Sequence, residues 1–131
     1  MPTSKAEWVG RARAVVATLR TLGPEEFFDE ESLRYHGVCN EVAVLAHSFA
    51  LDIDAFRRFL HQWSGPKRWL PVSPDDLRTM SATDILFRLK SNIADERWVD
   101  GALVDPFRSG TLVAALERLI AEIDGIDLQR A

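Results

Sequence analysis

The chain contains a single cysteine, Cys39, among its 131 residues. One cysteine cannot form an internal disulfide, so small disulfide-stabilised folds are excluded and a reducing compartment is favoured. No apolar run approaches the roughly 18 residues that a membrane-spanning helix needs. The first residues, MPTSKAEW, also lack the basic and then apolar order of a signal peptide. These absences predict a cytoplasmic protein that does not bind a membrane.

The chain also has fewer basic than acidic residues. It carries 16 Lys and Arg against 20 Asp and Glu, a formal net charge of −4. Proteins that bind nucleic acid through its phosphates are usually basic, so this balance disfavours a general nucleic-acid binder. Apolar residues make up 47% of the chain and charged residues 27%, which are ordinary values for a globular protein. The length suits one hydrophobic core, and we therefore predict a single helical domain over residues 1–131.

Apolar side chains recur at helical spacing along most of the chain. The clearest case is a helix over roughly 5–22, with Ser4 and Glu7 in capping-box spacing at its start. Short helices are predicted after Pro24 and Ser73, and longer ones begin near Val38, Asp52, Ser81 and Leu112. No extended stretch has a partner strand. The pattern therefore predicts an all-α fold, a bundle of about five to seven short amphipathic helices.

Residues 42–63 have the spacing of a helix-turn-helix, in which small residues near the turn let two helices cross closely. The residues with this spacing are Leu45, Ala46, Phe49, Ala50, Leu51, Asp52, Phe56 and Phe59. Two packed helices in any helical domain give a similar pattern, and Asp52 and Asp54 would bring carboxylates toward DNA phosphates. A DNA reader and plain core packing both stay open, with the DNA reader disfavoured.

The stretch from Phe56 to Trp69 combines cations and aromatic rings and contains no acid. Its candidate partner-binding or anion-binding residues are Arg57, Arg58, His61, Lys67, Arg68 and Trp69. Helical spacing places Phe56, Phe59 and Trp63 on one face and the helical cations on the other, so these rings are predicted to be core. After the Gly-Pro break, residues 67–69 suit either a partner surface or a solvated loop beside a buried tryptophan.

A second charged stretch, from Glu25 to Glu31, contains five acids and no base. Such a run is usually a solvated face, and it equally suits the docking of a basic partner. The net charge of −4 therefore combines two regions of opposite sign. A contact between these regions in two copies would let the chain associate with itself.

Residues for metal or nucleophilic chemistry are few. The imidazoles and the thiol of the chain are His36, Cys39, His47 and His61, and their spacing lacks a zinc-site pattern. The chain also lacks a phosphate-binding loop, a dinucleotide fingerprint, a nucleophile elbow and an H-E-x-x-H helix. We therefore expect no catalytic residue, no metal and no cofactor. A small enzyme or metal protein that uses His36, Cys39 or His47 stays as a further alternative.

The stretch 94–119 combines an Arg-aromatic pair, an acid followed by glycine, a second glycine and a leucine-rich helix that ends in Arg-Leu. These residues are Arg97, Trp98, Asp100, Gly101, Gly110, Leu112, Leu116, Arg118 and Leu119. The pattern resembles the tail of a family of small bacterial helical proteins classed only as a domain of unknown function. The resemblance implies an all-helical fold and no defined activity. Arg97, Trp98 and Asp100 are candidates for lining a cleft.

Together these features predict a non-catalytic helical module for protein interaction or regulation. The partner would be another protein or a second copy of the chain, with a homodimer as the simplest form. The first alternative is a helix-turn-helix DNA-binding regulator that uses residues 42–63, and the second is the small enzyme or metal-binding protein.

Overall fold

Helices account for most of this computed structural model, which describes residues 1–95 and 102–129. The α-helices are α1 (Lys5–Thr21), α2 (Pro24–Phe27), α3 (Val38–His47), α4 (Ile53–Gln62), α5 (Ala82–Asp95), α6 (Val104–Ser109) and α7 (Thr111–Ala121). Two short antiparallel strands are β1 (Phe28–Asp29) and β2 (Arg34–Tyr35), and 3-10 helices cover Gly65–Arg68, Pro74–Thr79 and Ile123–Gly125. The prediction of an all-α fold is confirmed.

Three helices begin at the capping residues that the sequence predicts. In each, a side-chain oxygen accepts a hydrogen bond from the backbone N–H three residues later. The pairs are Ser4 with Glu7 at α1, Asp52 with Ala55 at α4, and Ser81 with Asp84 at α5. The caps therefore set the first residue of each of these helices.

The core lies among four helices. α7 packs against α1 and α5, and α3 also packs against both α1 and α5. The largest fully buried apolar side chains are Trp8, Phe27, Phe49, Leu45, Ile85, Leu89, Leu112, Leu116 and Leu119. Trp8 keeps its polar edge satisfied, because its Nε1–H donates to the Leu45 carbonyl at 3.0 Å. These helices are thus held together by continuous apolar packing.

The segment after α2 is a small β-hairpin, whereas the sequence predicts no paired strand. Phe28 pairs with Tyr35, and Asp29 pairs with Arg34. Strands of two residues are too short to show the alternation of apolar and polar residues that identifies a strand. The hairpin is anchored by Phe27, which is buried and stacks on Phe107 of α6 with ring centroids 4.0 Å apart.

Helix α4 packs on the outside of α5 through aromatic side chains. The rings of Phe56 and Phe59 lie 5.1 and 5.6 Å from the ring of Phe87 in α5. The chain between α3 and α4 is held by the C-terminal tail, because the Ala50 N–H donates to the Asp127 carbonyl at 2.8 Å. α4 is therefore fixed along one side and at its N-terminal end.

A buried amide connects two segments that lack regular structure. Asn92 in α5 has no exposed surface. Its Oδ1 accepts the Leu70 N–H at 2.8 Å, and its Nδ2 donates to the Ala102 carbonyl at 3.0 Å. Because neither backbone group has a helical or strand partner there, one side chain replaces two backbone hydrogen bonds.

We expect Asn92→Ala to lower the free energy of unfolding by about 2 to 4 kcal/mol, since it leaves a buried donor and a buried acceptor unsatisfied. Urea denaturation measures this change. Asn40→Ala, at an exposed position of α3, is the matched control and should change stability little. Equal effects of the two substitutions would contradict the role of Asn92.

Candidate functional site

Helix α4 separates its aromatic and basic residues onto opposite faces, as the helical spacing predicts. Phe59 is buried, and the other aromatic side chains of this face are half-buried. Arg57, Arg58 and His61 are all exposed on the outer face. We call these three residues the α4 basic surface.

The arginines of the α4 basic surface have no acidic partner among the described residues. Asp54 stands three and four positions before Arg57 and Arg58, at the spacing of a helical ion pair. The ion pairs in the described part of the chain involve neither arginine and do not involve Lys67. The positive charge of this face is therefore open to a partner.

The residues after α4 are divided between exposed and internal roles. Lys67 is exposed. Arg68 is half-buried, and its guanidinium donates to the carbonyls of Trp63 at 2.7 Å and Leu60 at 2.9 Å, which satisfies the C-terminal end of α4. Trp69 is also half-buried and donates its Nε1–H to Asp95 at 2.5 Å. Arg68 and Trp69 thus hold the turn in place, and Lys67 stays exposed.

Arg88 of α5 is the central residue of this region. Its side chain is 12% exposed and forms an ion pair with Asp84 at 3.1 Å. It also donates to the carbonyls of Lys67 at 3.0 Å and Trp69 at 3.1 Å. Sequence reasoning missed this residue, and the only signal for it was the four-residue spacing from Asp84, which is common on helices.

The guanidinium of Arg88 also lies over the aromatic face of α4. Its Cζ lies 5.8 Å from the ring centroid of Phe59 and 5.6 Å from that of Trp63. Both distances are within the range of a cation–π contact. Arg88 therefore joins three parts of the fold, namely α5, α4 and the turn that carries Lys67.

Residues 42–63, predicted as a helix-turn-helix or as plain core packing, form α3, a connecting segment and α4. In the connecting segment, Phe49 is fully buried and forms a β-bridge with Leu128. Ser48 accepts the Gln129 N–H at 2.8 Å on its backbone carbonyl. The segment between the two helices is thus part of the packing around the C-terminal tail.

Some residues of the C-terminal pattern lie within the described part of the chain and others lie outside it. Arg97, Trp98, Asp100 and Gly101 lie outside the described residues, and so does the candidate cleft. Gly110 adopts a left-handed φ of 83°, which links α6 to α7 and favours glycine.

Arg118 has a structural role in the same C-terminal stretch. Its guanidinium donates to the carbonyls of Leu77 and Met80, both at 2.7 Å, where the 3-10 helix Pro74–Thr79 ends. The described residues of the C-terminal pattern therefore serve packing and turn geometry.

The candidate metal ligands do not converge within residues 1–95 and 102–129. No group of three or more His, Cys, Asp or Glu residues there could hold a metal ion. His36 uses its Nδ1 to accept the Val38 N–H at 3.0 Å, at the start of α3. Cys39 is half-buried on the first turn of the same helix.

A second pair of basic side chains lies where α3 meets α5. Lys90 of α5 is only 6% exposed, and its burial lowers the pKa of the ammonium group. Partial burial also lowers the pKa of His47 on α3, and the positive charge of Lys90 lowers it further. The positive charge of Lys90 therefore disfavours protonation of His47.

The acidic stretch forms α2 and the β-hairpin. Asp29 holds the hairpin turn by accepting hydrogen bonds from Ser32 and from the Glu31 N–H. The same hydrogen bonds lower the pKa of its carboxyl. Glu30 lies 3.8 Å from Arg108 in an exposed ion pair. The five acids of this stretch are exposed, as the sequence predicts for a solvated face.

No helix in the described part of the chain has the length and apolar character needed to cross a bilayer. Comparison of the chain with protein-family models, curated proteins and solved structures finds no match. The resemblance of the C-terminal stretch therefore stays a prediction, and the candidate site depends on the geometry of α4 and its surroundings.

We expect Arg88→Lys to lower the free energy of unfolding by about 1 to 2 kcal/mol, because lysine cannot reproduce both the ion pair with Asp84 and the hydrogen bonds to two carbonyls. Amide hydrogen exchange at residues 64–70 should also become faster. Arg78→Lys is the control, since the Arg78 side chain is 82% exposed. Unchanged exchange in 64–70 would show that Arg88 does not hold the turn.

We expect Lys90→Met to raise the free energy of unfolding at neutral pH by on the order of 1 kcal/mol, since it keeps an apolar stem and removes a buried charge. Because the pKa of Lys90 is lowered in the folded chain, the unfolded chain binds more protons than the folded chain does at alkaline pH. The wild-type protein should therefore gain stability as pH rises through the folded pKa of Lys90, and the variant should lack this gain. Thermal denaturation across a pH series measures both effects, with Lys67→Met as the exposed control.

Proposed function

We propose that this protein is a non-catalytic interaction module that binds an acidic protein surface on the α4 basic surface. The observation that carries the proposal is the exposed positive charge of Arg57 and Arg58, which has no acidic partner among the described residues, on a helix whose opposite face is fixed. Lys67 is also exposed, in the turn that follows α4.

The rigid support of α4 favours binding. Its aromatic face contacts Phe87 and Arg88 of α5, and Asp52 caps its first turn. A helix that is ordered before a partner arrives loses little conformational entropy on binding. The two arginines therefore occupy defined positions on the surface of the free protein.

The overall charge of the chain gives the basic surface a steering role. The net charge is −4, so an acidic partner is repelled by most of the molecule and attracted to its positive region. Complementary potential of this kind sets the orientation and the association rate more than the final affinity. The α4 basic surface is thus suited to selecting one face of an acidic partner.

The N-terminal end of α4 favours a protein partner over a DNA duplex. In a helix-turn-helix the first residues of the second helix approach the base edges. Asp52 and Asp54 are exposed at this end of α4, and their carboxylates would meet phosphate charge. DNA binding by residues 42–63 is therefore the alternative outcome of the experiment below.

We expect Arg57→Glu/Arg58→Glu to weaken binding of a fluorescein-labelled Glu-rich peptide about tenfold or more, because it replaces attraction with repulsion. Fluorescence anisotropy at low salt measures the affinity. Arg13→Glu/Arg78→Glu changes the net charge equally at two other exposed positions and should bind nearly as wild type.

Three results would contradict the proposal. The first is no binding of the peptide, and the second is an equal loss of affinity in the control variant. The third is binding of a labelled DNA duplex in place of the peptide, with the duplex binding lost in Arg57→Glu/Arg58→Glu. The last result would support the DNA-binding alternative.

A further inference from the structure

We propose that the acidic surface bound by α4 belongs to a second copy of this chain. The contacting element is the acidic hairpin, which we define as residues 28–35 with the carboxylates of Asp29, Glu30 and Glu31. In a two-fold pair, the hairpin of each copy contacts the α4 basic surface of the other. This inference rests on the proposed function and adds the identity of the partner.

The two surfaces carry opposite formal charge, because the hairpin has three carboxylates against the single base Arg34, and Arg57 and Arg58 are exposed on α4. Glu30 forms an exposed ion pair with Arg108, and Glu31 takes part in no ion pair among the described residues. On the other side, Arg57 and Arg58 also have no acidic partner there. Each copy therefore has a basic surface on α4 that attracts carboxylates and an acidic hairpin that carries them.

The acidic hairpin also has a shape that can receive an arginine side chain. A surface depression of about 560 Å³ lies beside it. Its lining includes Glu25, Phe28, Asp29, Glu30, Glu31 and Arg108. Carboxylates suit a guanidinium, which forms forked hydrogen bonds with them at its edge. The depression thus fits Arg57 or Arg58 better than it fits a lysine.

Exposed apolar side chains accompany the charges on both surfaces. Leu33 at the hairpin turn is 55% exposed, and Ile53 at the start of α4 is 58% exposed. Charged contacts alone contribute little at an exposed interface, whereas burial of apolar side chains supplies affinity. Leu33 and Ile53 therefore give the contact an apolar component next to its ion pairs.

A two-fold pair makes the contact twice, which matters because each surface is small. A stable interface buries about 800 Å² on each partner, roughly a tenth of the 7693 Å² surface of this chain. With two reciprocal contacts, each needs to supply only half of this area. The closed arrangement also uses every basic and acidic surface, so it does not extend into a filament.

Charge exchange between the two surfaces tests the pairing. We expect the wild-type chain to form a dimer at low salt, as measured by light scattering after size-exclusion chromatography. Arg57→Glu/Arg58→Glu makes both surfaces acidic, and Glu30→Arg/Glu31→Arg makes both basic, so each variant alone should dissociate at least tenfold more readily. An equimolar mixture should regain the dimer, because both reciprocal contacts are then between opposite charges.

Leu33→Gly provides a test that separates binding from folding. Leu33 has a φ of 57°, a left-handed conformation that glycine adopts without strain. We expect this variant to be at least as resistant to urea as wild type, whereas its dimer dissociates several-fold more readily because the exposed leucine is lost. A dimer as tight as wild type would contradict the contribution of the hairpin.

Further outcomes would overturn the inference. If the wild-type chain stays monomeric at high concentration and low salt, the proposed dimer is excluded. Peptide binding by α4 would still support the proposed function in that case. A dimer that both charge variants retain would use another surface. Variants that dissociate alone and do not associate in the mixture would show that the hairpin and α4 do not contact each other.

Discussion

The position of the α4 basic surface depends on Arg88. This arginine is nearly enclosed, and a buried guanidinium is unfavourable unless its charge and its donors are satisfied. Asp84 supplies the counter-charge, two backbone carbonyls accept hydrogen bonds, and two rings cover its face. The same contacts attach α4 and the turn at Lys67 to α5. Together with the contacts of Phe56 and Phe59 with Phe87, this side chain holds α4 in place on the outside of the core.

The long connection between α4 and α5 shows why such side chains are needed. Its 3-10 turns leave backbone carbonyls without helical partners, and polar side chains from the core helices take their place. Arg88 and Asn92 extend from α5 to the first part of the connection, and Arg118 extends from α7 to its end. Side chains that arise from the regular helices therefore hold the irregular region, and Thr111 of α7 adds a further bond to the Val72 carbonyl at 3.2 Å.

Local patterns were sufficient to predict much of this fold. Ser4, Asp52 and Ser81 cap helices where the spacing places them, and the faces of α4 follow from its sequence. Contacts between distant segments were not predictable, because periodicity describes one element at a time. The cation–π contact of Arg88 with Trp63, the Trp69–Asp95 bond and the two-residue strands all depend on tertiary packing, so Arg68 and Trp69 could not be distinguished from the exposed Lys67.

The order of charges along α4 identifies which residues require a functional explanation. Asp52 and Asp54 lie at the positive end of the helix dipole, and His61 lies in its last turn, so helix stability alone accounts for these three. Arg57 and Arg58 lie in the middle of the helix, where the dipole has little influence. Both are exposed and have no counter-charge among the described residues. Since neither capping nor packing explains them, these two arginines are the residues that favour a binding role for this face.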